Sequence, residues 1–294
     1  MERSSDARNA GLYNRDLNAC INIAHALTRG MGWGSLTLNQ MRLEAQNPLN
    51  AGSLSLQSGE EGQMKRFKFV YKETIANIIT ESEEFYKIAI MAILEARSEI
   101  ERYSMLNPEF LISLEPIECR AEGIVKRMCD AAKIAGVGPM ASVAGAIAEY
   151  AVEKMVEAGA RLAIVDNGGD IAIKTDREIR VGIYPTKLAF LIPPGERLAV
   201  CTSSGKIGPS ISFGFADCAT VVAKDACIAD AFATALGNLI KDDSNIGKIV
   251  EDFYEKYKKF LIGVLVVKED SIAFAGKLPR LEIAKISEEL ISKL

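Results

Sequence analysis

The chain has 294 residues, of which 49% are apolar and 25% charged, and a formal net charge of −4. That length supports a sizeable core, while the mildly acidic balance argues against a basic surface for nucleic acid. No run of 18 apolar residues occurs and no signal peptide is visible, so the expectation is a soluble cytoplasmic protein with no membrane partner.

Residues 1–63 differ in composition from the rest. They lack Lys, Val and Phe, yet hold the sole histidine, His25, and the sole tryptophan, Trp33. One helix is expected over about Arg15–Thr28, ended by Arg29-Gly30. The Asn-, Gly-, Ser- and Gln-rich stretch after it has too little apolar surface for a core. Asn14-Arg15-Asp16-Leu17-Asn18-Ala19-Cys20-Ile21-Asn22-Ile23 resembles the C-terminal end of OrfB-type insertion-sequence transposases, without the paired cysteines of their zinc ribbon. The resemblance spans about twenty residues, too few to carry a transposase activity, and a largely non-globular N-terminal extension is expected. The main domain is expected over 64–294, because composition switches to Lys, Val, Ile and Glu at Met64.

Within it, residues 66–80 read as two strands. A long helix over 82–103 repeats Phe85, Ile88, Ala89, Ala92, Ala96 and Ile100 at helical spacing, with Ser82, Glu83 and Glu84 suited to its start. A second helix covers 121–135 and ends at Gly136. Gly136–Met140 leads into a small-residue helix over about Ala141–Glu157, where Ala144, Gly145, Ala146 and Ala148 allow a backbone or ligand to come close. Strand 162–166 runs into Asn167-Gly168-Gly169-Asp170, whose residue types suit positive φ and a turn between strands. Further strands are expected near 178–184, 188–192, 197–202 and 219–223, with a Gly/Ser-rich loop over 203–217. Helices at 225–239, capped by Asp225, and at about 244–257 precede three strands near 260–284. Strands and helices without strict βαβ alternation predict an α+β fold with mixed sheets and packed helices. Neither GxGxxG nor a P-loop is present.

The most informative stretch is Asp225–Gly237. Asp230 and Thr234 stand four residues apart on one helix face, and both offer the oxygen that Mg²⁺ prefers. A solvated or back-bonded pair is the plainer account of such spacing. The cysteines at 20, 119, 129, 201, 218 and 227 form no Cys-x-x-Cys pair, so reduced, buried thiols are expected. With no histidine beyond residue 25, a Cys–His pair in the main domain is excluded.

Several segments in order resemble the ApbE-like superfamily, whose best-known members are flavin transferases. They are Ala144–Val152, Ile164–Ile171, Val200–Gly205 and Val221–Leu236. Gly138–Gly145 narrows the resemblance to an uncharacterised archaeal and bacterial branch and extends it over nearly all of 64–294. The resemblance implies Mg²⁺ held by Asp230, Thr234 and a backbone carbonyl near Ala146 or Ala148. It also implies a flavin such as FAD, or its diphosphate, against Asn167, Gly168, Gly169 and Asp170, with Thr202, Ser203, Ser204 and Gly205 as further cofactor-binding residues. The family's histidine is absent, since Pro209–Phe215 stands where it would fall. Its lysine is also missing from Ile147-Ala148-Glu149-Tyr150. Glu149 and Asp217 are the candidates to replace the missing base. A flavin transferase-like enzyme, a non-catalytic flavin or nucleotide-binding module, and a role for Cys201 or Cys218 in sulfide assimilation are three readings the resemblance leaves open. A homo-oligomer is compatible with each.

Overall fold

The computed structural model describes residues 64–184, 186–204, 215–242 and 245–283. The expected helix at 15–28, the transposase-like tail, Cys20, Gly205 and most of the Gly/Ser-rich loop lie outside the described residues. Eleven strands and six α-helices are described. Strands β1 (Lys65–Tyr71) and β2 (Thr74–Thr80) form the first hairpin. Helix α1 (Glu83–Leu106) follows, then the single turn α2 (Glu109–Ile112) and helix α3 (Gly123–Ala135). A 3₁₀ turn over Pro139–Ser142 enters α4 (Val143–Glu157). The strands β3 (Ala163–Asn167), β4 (Asp170–Lys174), β5 (Ile179–Ile183), β6 (Leu188–Ile192), β7 (Leu198–Ser203) and β8 (Cys218–Ala223) come next. Helices α5 (Ala226–Leu239) and α6 (Ile246–Tyr257) precede β9 (Leu261–Lys268), β10 (Ser271–Gly276) and β11 (Arg280–Ile283).

Every strand pair is antiparallel, which makes the fold α+β, as the element pattern predicts. An eight-stranded sheet has the order β1-β2-β3-β4-β7-β8-β9-β10, and a smaller sheet has the order β11-β6-β5. The helices cover one face of the large sheet and the small sheet covers the other. Strand β8 records this directly. Ala219, Val221 and Ala223 join the helix-side core, whereas Cys218 and Val222 pack with Val181, Ile183, Phe190 and Ile192 of the small sheet. All six of its residues are buried, as expected of a strand covered on both faces.

The helix side of the large sheet is lined by small residues, Ala76, Ala163, Ala172, Ala199 and Ala219. α5 presents Ala226, Ala229 and Ala233 to the same core. Small side chains on both surfaces let helix backbones come close to the sheet and to each other.

Helix ends follow their local chemistry. Ser82 Oγ accepts from the Phe85 N–H, and α1 stops at Asn107-Pro108, three residues past its expected end. Gly136 ends α3 in the left-handed conformation. Among the described residues no single helix is long and apolar enough to cross a membrane.

One expectation is corrected. Cys119 and Cys129 are joined in a disulfide, with Cα atoms 6.2 Å apart. The extended segment before α3 folds back along that helix, bringing together two thiols that share no recognisable spacing motif. Cys201, Cys218 and Cys227 are buried thiols outside any disulfide, as expected.

Candidate functional site

Helices α4 and α5 pack together over β3, β4, β7 and β8. Their contacts descend one helix as they climb the other, so the two run in opposite directions through the seam. Thr234 Oγ1 faces the Ala141 carbonyl oxygen at 3.5 Å, too long for a strong hydrogen bond. One turn along, the Gly145 N–H donates to Asp230 Oδ2 at 2.8 Å. One turn further, the Ala226 N–H donates to Glu149 Oε2 at 2.8 Å.

The first N–H groups of a helix have no partner within it. Ser142, at the N-cap of α4, makes no side-chain cap, and Asp230 of α5 supplies one from outside. Glu149 of α4 does the same for α5, beside that helix's own cap Asp225, which accepts from the Ile228 N–H at 2.9 Å. Each helix therefore carries a carboxylate for the positive end of the other. Glycine at 145 makes the crossing possible. A Cβ there would stand 2.2 Å from the Ala226 carbonyl oxygen and 2.7 Å from Asp230 Cβ.

The β3–β4 turn closes against the start of α4. Gly168 and Gly169 have φ of 69° and 96°, so the two-residue turn needs positive φ at both positions, which glycine supplies freely. Asp166 Oδ1 accepts from the Gly169 N–H at 2.9 Å. Asn167 Nδ2 donates to the Ala144 carbonyl at 3.1 Å, the other end of the same peptide whose N–H Asp230 holds. Asp170 Oδ1 accepts from the Thr202 N–H at 3.3 Å. Cys201 stands opposite Asp170 on the neighbouring strand, and its thiol donates to the Ala226 carbonyl at 3.5 Å. Burial pushes this thiol well up, and Asp170 and then Asp230 push it further. Burial, then Asp225, does the same to Cys227. Neither has the depressed pKa of a sulfur-carrying nucleophile.

The expected site residues thus divide. Asp230, Thr234, Asn167 and Asp170 gather around the start of α4, and Ser203 follows on the same strand face as Cys201. Thr202 turns away. Strand alternation sends its side chain to the opposite face, where its hydroxyl meets that of Thr220 at 2.9 Å. Ala146 and Ala148 lie inside α4, where the helical ladder uses their carbonyls. The carbonyl in reach of Thr234 belongs to Ala141, at the 3₁₀ turn.

Glu149 and Asp217 are far apart in role and place. Glu149 is 2% exposed and pairs with Arg197 at 3.2 Å as well as with the Ala226 N–H. Burial raises its pKa to about 7, Asp225 adds to the rise, and the Ala226 N–H and Arg197 oppose it. Asp217 precedes β8 and accepts from the Glu269 N–H in the β9–β10 turn at 2.5 Å.

The oxygen donors at the seam are of the chemical type that Mg²⁺ accepts. Among the described residues no group of three or more His, Cys, Asp or Glu side chains is placed to hold a metal. Asp230, Thr234 and the Ala141 carbonyl offer one carboxylate and two neutral oxygens. Mg²⁺ typically takes one or two carboxylates, keeps several waters and completes its shell with substrate phosphate. The 3.5 Å between Thr234 Oγ1 and the Ala141 oxygen exceeds the ~3 Å edge of an octahedron with ~2.1 Å bonds, so the two oxygens would have to draw together by about half an ångström to share one Mg²⁺.

These features define an α+β domain with an oxygen-rich seam between two Ala-rich helices. Residues 56–251 match the family model described as AbpE bacteria, and the chain belongs to that family. A UPF0280 protein of Archaeoglobus fulgidus is 65% identical over 232 residues, spanning 78% of this chain and all of that protein. Another, from Methanothrix thermoacetophila, is 47% identical over 239 residues, again covering 78% of this chain and all of the relative. Among solved structures, the flavin transferase ApbE from Vibrio cholerae is similar with a TM-score of 0.46 and 12% identity, over 72% of this chain and 96% of that one. The ApbE protein of Thermotoga maritima gives 0.45 and 12%, over 79% and 100%.

Proposed function

We propose that the domain binds FAD, or another ligand carrying a diphosphate, together with Mg²⁺ at the α4–α5 seam, and transfers FMN poorly or not at all. The observation that carries this reading is that Asp230 and Thr234, one turn apart on α5, both face the start of α4, Asp230 at the Gly145 N–H and Thr234 at the Ala141 carbonyl, with Asn167 of the β3–β4 turn on the Ala144 carbonyl between them. In this reading Asp230, Thr234 and the Ala141 carbonyl hold the cation. When bound, Mg²⁺ neutralises charge on a diphosphate. The Gly145 N–H orients the Asp230 carboxylate, and Asn167 fixes that same peptide from its other end, the Ala144 carbonyl.

Transfer to a hydroxyl needs a base, and no histidine occurs in 64–294. Glu149 is committed to the α5 terminus and Arg197, and Asp217 to the β9–β10 turn. Loss of a positioned acid–base group costs about 10²–10⁴ in rate. Incubation with FAD, Mg²⁺ and an acceptor peptide is therefore expected to give FAD binding, seen as a fluorescence change, and no FMN mass on the peptide. An FMN-sized mass gain at ordinary enzymatic rates would contradict this, and Glu149→Gln and Asp217→Asn would then identify the base.

A further inference from the structure

The large sheet has two edges, and they are built differently. β1, at one end, carries exposed Lys65, Arg66 and Lys68. Charges of this kind keep an edge from pairing with other chains. β10, at the other end, reads Ser-Ile-Ala-Phe-Ala-Gly, with no charge and no proline. Ile272 and Phe274 are 50% and 64% exposed. They stand beside Val267 and Leu265 of β9, which belong to the core under the small sheet, so they continue that apolar face past its cover.

We propose that β10 pairs antiparallel with β10 of a second copy of this chain, joining the two large sheets across a twofold axis. The main chain supports the pairing. Lys268 and Ser271 close a two-residue turn, so Ser271, Ala273 and Ala275 bond inward to β9. That leaves the N–H and C=O groups of Ile272 and Phe274 directed outward along an edge that pairs with no other strand among the described residues. An antiparallel strand is complementary to itself, and an axis at Ala273 sets Ile272 opposite Phe274 of the copy on one face. The same register puts Glu269, in the turn before the strand, at the same end of the pair as Lys277 of the copy, which follows the strand. Apolar pairs at the centre with opposite charges at both ends select a second copy over an unrelated strand.

The test uses the full-length chain in sedimentation velocity at micromolar concentration, with hydrogen exchange read at the Ile272 and Phe274 amides. The wild type is expected to be a dimer with both amides protected. Phe274→Lys and Ile272→Lys should each raise the dimer dissociation constant by ~100-fold or more and expose both amides. Thermal unfolding should stay cooperative, because both side chains lie at the surface. Val70→Lys on the guarded β1 edge should leave the dimer intact. A monomeric wild type would overturn the proposal, as would a dimer that survives both lysine substitutions. Protection of the two amides that persists in a monomer would also overturn it, assigning the edge to residues of the same chain.

Discussion

Gly145→Ala will destabilise the domain by about 1–2 kcal/mol, since a clash at the upper end of the ~1–3 kcal/mol cost of overpacking exceeds the roughly 1 kcal/mol that alanine gains over glycine in a helix. The added Cβ meets a backbone carbonyl and a Cβ, neither of which is the far end of a flexible chain. Relief requires α4 and α5 to separate, which would break the Asp230–Gly145 and Glu149–Ala226 hydrogen bonds together. Gly145→Val should cost more, because a branched side chain adds volume on the same side. Gly247→Ala is the matched control. It lies in the first turn of α6, where a Cβ would meet only Asn245 Oδ1 at 3.4 Å, and should stabilise by up to about 1 kcal/mol. Urea unfolding of the three variants checks the sign and order. Equal effects at 145 and 247 would mean that the seam is looser than described.

Glu149→Gln will remove a pH dependence of stability. The folded carboxyl titrates at about 7 against an ordinary 4.5. Between those values the folded state holds a proton that the unfolded chain has released, so stability falls as pH rises through this window. Below it the contribution is fully present, and above about 7 the loss is complete. The change amounts to about 3 kcal/mol. The charged groups around Glu149 are Asp225, Arg197 and Glu153, with Arg127 joined to Glu153 at 2.7 Å. Glutamine retains an acceptor for the Ala226 N–H without the ionisation. Relative to wild type, the variant should therefore gain stability between pH 5 and pH 8 in denaturant titrations. Parallel slopes for the two proteins would contradict the account.

Much of this architecture was legible in local chemistry. Asp225 as a cap, the Asn167–Asp170 turn, and Asp230 with Thr234 on one face all follow from interactions within a few residues. What the sequence hid depends on distant partners. Ala146 and Ala148 match the family pattern by position, but the carbonyl that meets Thr234 comes from Ala141, because the chain enters α4 through a 3₁₀ turn. Thr202 sits in a segment matching the family, yet strand alternation turns its hydroxyl to Thr220. Glu149 reads as a candidate base until the helix crossing places it on the Ala226 N–H, 77 residues away in sequence. The Cys119–Cys129 bond was hidden for the same reason, since ten residues of separation carry no metal or redox spacing. The three-stranded sheet joins β11 to β6 across most of the C-terminal half, a pairing no local pattern specifies.

Calorimetric titration of the full-length chain with FAD, with and without Mg²⁺, for wild type and Asp230→Asn, tests the central claim most directly. Asparagine keeps an oxygen for the Gly145 N–H, so the helix crossing and the unfolding midpoint should survive, while the charge that a cation needs is lost. The expected result is wild-type FAD affinity that rises at least ~10-fold with Mg²⁺, about 1.4 kcal/mol, and a variant in which Mg²⁺ makes no difference. A wild type indifferent to Mg²⁺, or an Asp230→Asn chain that keeps the full Mg²⁺ effect, would contradict the account and leave Asp230 as a helix cap alone.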